Sequence, residues 1–176
     1  IFNMNFNVKS LDGYESQFQD YLNYLYETYE GRSNHWLESL KSNYKKYHYW
    51  TLVFDDADKD IIAFSCIQDH FFEPGTVRIL TRTWFDPKTR SHDGALWRHT
   101  PVASMAKHQI EWLQDKGFER AIFTLEPDRG HSLIKFLSKK INTRTGITNF
   151  VPQSERMKTF RDAQEKDYQW YAEHIF

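Results

Sequence analysis

TVRILTRTWF at residues 76–85 is followed by DPKTRSHDGALWRHT at 86–100, PVASMAKHQIEWLQDK at 101–116, RAIFTLE at 120–126 and HSLIKFLSKK at 131–140. In order, these predict a strand, a turn-rich loop, an amphipathic helix, a second strand and a second helix. Strand, crossover helix and strand put two parallel strands side by side, with the loop and the helix's first amides at their carboxyl ends. A phosphate-bearing ligand most often docks at that end. Thr100 and Pro101 predict the helix start, because the threonine oxygen can take an orphan N–H and a proline in the first turn loses nothing. Val102, Met105, Ala106, Ile110 and Leu113 form the helix's inner stripe, and Gly117 ends it. Along the first strand, Val77, Ile79, Thr81, Thr83 and Phe85 share one face. Arg78, Leu80, Arg82 and Trp84 share the other, a set too polar to be all core.

Upstream, Phe2, Met4, Phe6 and Val8 alternate with Asn3, Asn5 and Asn7, the period of a half-buried strand. Asp12 offers a helix cap with Glu15 three residues on, and Tyr14, Phe18, Tyr21, Leu22, Leu25 and Tyr29 trace one apolar helical face up to Gly31. Ser33 opens a second helix through Trp36, Leu37, Leu40, Tyr44 and Tyr47. Tyr49 to Phe54 and the unbroken run Ile61 to Ile67 read as strands, the latter covered on both faces. With the strand from Thr76 they form an antiparallel meander. Downstream, Thr148 to Val151 and Tyr168 to Phe176 read as strands, with Ser154 to Glu165 a weak helix or excursion between them. Tyr168, Trp170 and Ala172 of the last strand could pair within the chain or across a homodimer.

The chain of 176 residues is read as one domain, residues 1–176, with a full core. A formal charge of −1 with interleaved signs leaves no cationic face for a nucleic-acid backbone. Aromatic residues make up 17% of the chain and predict a ring-filled core. One cysteine, Cys66, forbids an internal disulfide and fits a reducing, cytoplasmic setting. No apolar run is long enough for a membrane span, and Ile1 to Leu11 lacks the pattern of a secretory leader. The eight histidines form no metal-binding motif, so no metal is expected.

The element order β, α, α, β, β, β, α, β, α, β, β is similar to that of the GNAT superfamily of N-acetyltransferases, including its small, diverged phage-encoded members. The family's loop after the fourth strand runs proline, then Arg or Gln three residues on, then x-x-Gly-x-Gly or Ala. Pro87, Arg90 and Ala95 fall in that register; Asp93 takes the first glycine position and Gly94 is displaced by one. On the helix after the fifth strand, Arg129, Ser132 and Phe136 take the positions of the family's Asn, Ala and Tyr, so the usual tyrosine acid is a phenylalanine. The resemblance implies an α/β (α+β) fold with a mixed, centrally splayed sheet flanked by helices on both faces. It implies transfer of an acetyl group from acetyl-CoA to a small-molecule or peptide amine, or a relative that keeps the fold as a binding or assembly module without catalysis.

Under that resemblance the backbone of Thr83, Trp84 and Phe85 would line the pantetheine arm, and Arg90, Asp93, Gly94 and Ala95 would meet the pyrophosphate. Asp93 would repel phosphate, which Arg90, Arg98 and the helix amides would offset. The attacking amine must lose a proton, so a carboxylate or imidazole should face the splay. Glu126 at the end of the fifth strand, and His70 with Asp69 on the third, are the candidates. Arg78 and Arg82 could receive an acidic substrate group or pair with neighbouring carboxylates.

Overall fold

The computed structural model describes residues 5–29, 40–55, 57–69, 77–89, 96–118, 120–125, 150–152 and 170–175. Its elements are β1 (Phe6–Ser10), α1 (Glu15–Thr28), β2 (Tyr49–Asp55), β3 (Ile61–Asp69), β4 (Val77–Phe85), α2 (Leu96–Asp115), β5 (Arg120–Leu125), β6 (Phe150–Pro152) and β7 (Trp170–Ile175). The strands form one sheet in the order β1-β2-β3-β4-β5-β7-β6. Neighbours run antiparallel except β4 and β5, which are parallel, as their connection through α2 requires. The expected meander is β2, β3 and β4. The last strand pairs within the chain, between β5 and β6.

Each face of the sheet carries one core. On one side α2 lays Val102, Met105, Ala106, Ile110 and Leu113 over Val53, Ala63, Ile67, Val77, Ile79, Leu80 and Phe85. On the other, Phe18, Leu22 and Leu25 of α1 meet Trp50, Leu52, Phe54, Phe64 and Cys66. The period of two in β2 sorts its side chains between these cores, Trp50, Leu52 and Phe54 to α1 and Val53 to α2. Burying one such side chain contributes about 1.5–3 kcal/mol relative to leaving it exposed. Among the described residues rings build the core under α1, as their abundance predicts: Phe18 touches Tyr44, Trp50 and Phe64 at centroid distances of 5.3, 5.1 and 5.4 Å.

Two expected helix starts are corrected. Tyr14, not Asp12, occupies the cap position of α1, and no side chain caps it. Gly13, at φ 87°, makes the turn instead; its N–H donates to Glu15 Oε2 at 3.0 Å, while the Asp12 N–H donates to Ser10 Oγ at 3.0 Å. The second correction concerns α2, which begins at Leu96 and carries Pro101 inside it. Thr100 is exposed and helical, not a cap. Proline has no N–H, so the Trp97 carbonyl forgoes its usual partner, a cost outweighed by burial of Pro101 and Val102 against the sheet. The other end of α2 is as expected. Gly117 at φ 80° donates to the Gln114 carbonyl at 3.1 Å and Phe118 to the Leu113 carbonyl at 3.0 Å, the paired bonds of a Schellman stop.

Residues 40–43 are helical and run into a 3-10 turn at Tyr44–Lys46, the end of the helix expected from Ser33. The rest of that helix, the helix expected at 131–140 and the segment 154–165 lie outside the described residues.

Candidate functional site

β4 and β5 pair only at Val77↔Ala121 and Arg78↔Ile122. Beyond Arg78, β4 continues to Phe85 and β5 to Leu125 with no further pairing to each other. Each keeps its outer neighbour: β4 stays on β3 as far as Phe85, and β5 stays on β7 as far as Leu125. The sheet is therefore intact on both sides of a gap that opens toward the carboxyl ends of two parallel strands.

Two bulges in β4 accompany the gap. Arg78 to Thr81 takes three steps against two from Gln68 to Cys66, and Thr81 to Trp84 takes three against two from Cys66 to Phe64. Leu80 and Arg82 lie inside these bulges with φ of 57° and 53°. A left-handed backbone costs a residue with a Cβ about 1–2 kcal/mol, so both are held there by their surroundings. At Leu80 the N–H donates to Gln109 Oε1 at 2.7 Å and the carbonyl accepts from Thr83 Oγ1 at 2.6 Å. The bulges overturn the expected two-faced alternation: Ile79 and Leu80 are consecutive and both buried, while Thr83 is exposed. Arg78 and Arg82 are half-buried, and both positive charges act on the Cys66 thiol. Burial still dominates there and pushes the thiol up to about 12, so Cys66 is no nucleophile at neutral pH.

Of the residues expected at the pantetheine arm, Thr83 is exposed, Trp84 packs toward α1 against Tyr29, and Phe85 is buried beneath α2. The Asp86 N–H donates to the Ile62 carbonyl at 2.8 Å. Hydrogen-bonded and non-hydrogen-bonded pairs alternate along an antiparallel ladder, so Phe85, opposite Ala63, turns its peptide groups to the β5 side. After Asp86 comes a 3-10 turn at Pro87–Thr89, in which the Thr89 N–H and Oγ1 both donate to the Asp86 carbonyl, at 2.9 and 2.6 Å. Arg90, Asp93, Gly94 and Ala95 lie outside the described residues. Leu96 starts α2 directly after them, so the helix N-terminus stands at residue 96 and not at the expected Thr100.

The two expected bases, Glu126 and His70, also lie outside the described residues. Asp69, expected beside His70 at the splay, is at the wrong end. It stands opposite Val77, where β4 and β5 are still joined, and its Oδ1 is 2.7 Å from His48 Nε2. Ala63, not Asp69, is opposite Phe85, and the six residue steps from one to the other span about 20 Å. The carboxylate that the described residues do bring to the open end is Asp86, 3% exposed, whose Oδ2 accepts from the Tyr21 hydroxyl at 2.7 Å. Burial and then this bond hold the Tyr21 hydroxyl well above the usual tyrosine range. Beside the pair is a cleft of about 350 Å³ lined by Asp20, Tyr21, Tyr24, Lys59, Asp60 and Asp86. The sequence hides this pair, since Tyr21 sits in the apolar stripe of α1; an Asp placed between a strand and a proline was the available signal. Among the described residues, no group of His, Cys, Asp or Glu is arranged to hold a metal ion.

No protein-family model matches the sequence, and no curated protein matches it. Solved structures do match in shape. A GNAT family N-acetyltransferase from Escherichia coli, in complex with CoA, superposes with a TM-score of 0.56 at 9% identity, over 99% of this chain and 83% of that one. A probable acetyltransferase from Staphylococcus epidermidis gives 0.54 at 10% identity, over 97% and 99%. A ribosomal-protein-S5-alanine acetyltransferase from Vibrio fischeri gives 0.52 at 12% identity, over 99% and 95%. With a seven-stranded mixed sheet parted between its two parallel strands and helices on both faces, the chain has the fold of the GNAT N-acetyltransferases.

Proposed function

We propose that this chain moves an acetyl group from acetyl-CoA to the amine of a small molecule or peptide by direct transfer. The observation that carries the proposal is the gap beyond Arg78 and Ile122, closed on both outer edges and open at the end where α2 begins. A pantetheine arm is a thin chain of amides, and its groups can pair with a strand edge as a third strand would. The α2 N-terminus offers amides and a positive dipole end for the phosphates, supplemented by Arg90 and Arg98 and opposed by Asp93. A neutral amine then attacks the thioester carbonyl, the thiolate leaves, and no covalent intermediate on the protein is needed. Of the two candidate bases the proposal favours Glu126, because β5 ends at the open side whereas β3, which leads to His70, ends at the closed side.

Melting the protein with increasing acetyl-CoA tests this. A ligand that binds only the folded state at a hundred times its Kd stabilises by about 2.7 kcal/mol, a rise of about 5–11 °C for a chain of this size. Release of free thiol on adding an amine panel then reports turnover. No shift at millimolar acetyl-CoA overturns the proposal. A shift with no thiol release for any amine favours the second reading, a binding or assembly module that has lost transfer, toward which Phe136 at the tyrosine position and Asp93 in the loop point.

A further inference from the structure

We infer that Gln109 is a positioning residue that holds the β4 bulge and thereby keeps the gap open, without touching a ligand. Gln109 lies on α2 and is 0% exposed. Its Oε1 accepts from the Leu80 N–H at 2.7 Å, and its Nε2 donates to Thr51 Oγ1 at 2.9 Å and to Ser65 Oγ at 2.8 Å. Thr51 and Ser65 are themselves 0% exposed and lie on β2 and β3; the Ser65 hydroxyl also reaches Met105 Sδ at 3.3 Å. One amide side chain thus ties the left-handed residue of β4 to two strands on the side away from β5.

That position gives Gln109 its consequence. A left-handed residue turns its N–H off the ladder, and an N–H buried without an acceptor is expensive. With Gln109 present the bulged conformation has an acceptor. Without it, the lowest-cost way to satisfy Leu80 is to straighten β4 so that its N–H finds a strand partner. The pairing of β4 with β5 ends at Arg78, just before the bulge, so a straightened β4 can continue that ladder and close the gap. Thr51 and Ser65 serve the same end: with their hydroxyls they orient the amide so that its oxygen faces Leu80.

The inference rests on the CoA reading only for its second readout. Gln109→Met keeps the volume and removes the amide; Gln109→Glu keeps the acceptor and, held neutral by burial, one donor. Amide hydrogen exchange of residues 79–83 is measured for both, with acetyl-CoA affinity by calorimetry. Leu25→Ala, in the core under α1, is the control for lost stability alone. The expected result is slower exchange confined to residues 79–83 in Gln109→Met, because the closed ladder protects those amides, and an acetyl-CoA Kd raised about tenfold or more. Gln109→Glu should stay near the parent in both, and the control should leave Kd unchanged. Unchanged or faster exchange at 79–83, an unchanged Kd, or a Gln109→Glu chain as impaired as Gln109→Met overturns the inference. If Gln109→Met does not fold, Thr83→Val, which removes the bond to the Leu80 carbonyl from an exposed position, must lower exchange at the same residues. If the parent binds no acetyl-CoA, the proposed function fails, and exchange alone decides the role of Gln109.

Discussion

Tyr21→Phe removes one hydroxyl and takes one donor from a buried carboxylate. The ring keeps its neighbours, Phe64 at 6.3 Å and Tyr24 at 6.2 Å, so the packing loss is small. What is lost is a 2.7 Å bond to Asp86, which is 3% exposed. A hydrogen bond to a charged group is worth about 1.5–3 kcal/mol, so the variant should lose about 2 kcal/mol and melt about 4–8 °C lower. Urea unfolding at pH 7 measures the loss, and a cycle with Asp86→Asn measures the coupling, which should exceed about 1 kcal/mol. The pH dependence gives a second handle. The folded hydroxyl titrates above its unfolded value of 10.0, so its contribution is complete below pH 10 and is lost as pH rises above it. The parent should therefore lose stability more steeply above pH 10 than Tyr21→Phe does. A loss below about 0.5 kcal/mol with parallel alkaline slopes would refute the reasoning, because surface substitutions already vary by that much.

Cys66→Ala should behave alike at its own pH. The thiol rises from 9.0 to about 12 through burial, so its share of stability is present below pH 9 and lost between pH 9 and about 12. The difference in urea midpoint between parent and variant should shrink across that window, and a constant difference would contradict it. Gly117→Ala should cost about 1–2 kcal/mol in urea unfolding, all of it conformational, because φ is 80° and a Cβ there meets nothing within 4 Å. A neutral result would mean that α2 ends differently in solution.

Much of the fold was legible because hydrophobic period and turn chemistry agree with each other. Ile61 to Ile67 read as a doubly covered strand, and Gly117 as a helix stop, for the same reasons that hold in three dimensions. The parallel placement of β4 and β5 followed from strand, helix, strand alone. Local signals failed where tertiary contacts outvoted them. Thr100 and Pro101 form a good cap in isolation, yet α2 runs from Leu96 and takes Pro101 inside it, with Pro101 and Val102 buried. Alternation along β4 breaks because Gln109, 29 residues away in sequence, supplies an acceptor for the Leu80 N–H. Nothing local announces a bulge at two residues that are neither glycine nor asparagine. Asp69 is at the closed end for a reason the antiparallel meander already contains: β3 runs against β4, so its last residue stands beside Val77, where β4 begins. Of the site, the gap was foreseen, and the Tyr21 and Asp86 pair was not.

The central claim is that the gap between β4 and β5 takes up an acyl-CoA. Hydrogen exchange of the parent chain, with and without saturating acetyl-CoA, tests this most directly. The account predicts slower exchange in residues 79–85 and in the first turn of α2, with β1, β2 and α1 unchanged. Protection spread evenly over the chain, or none in residues 79–85, would contradict it.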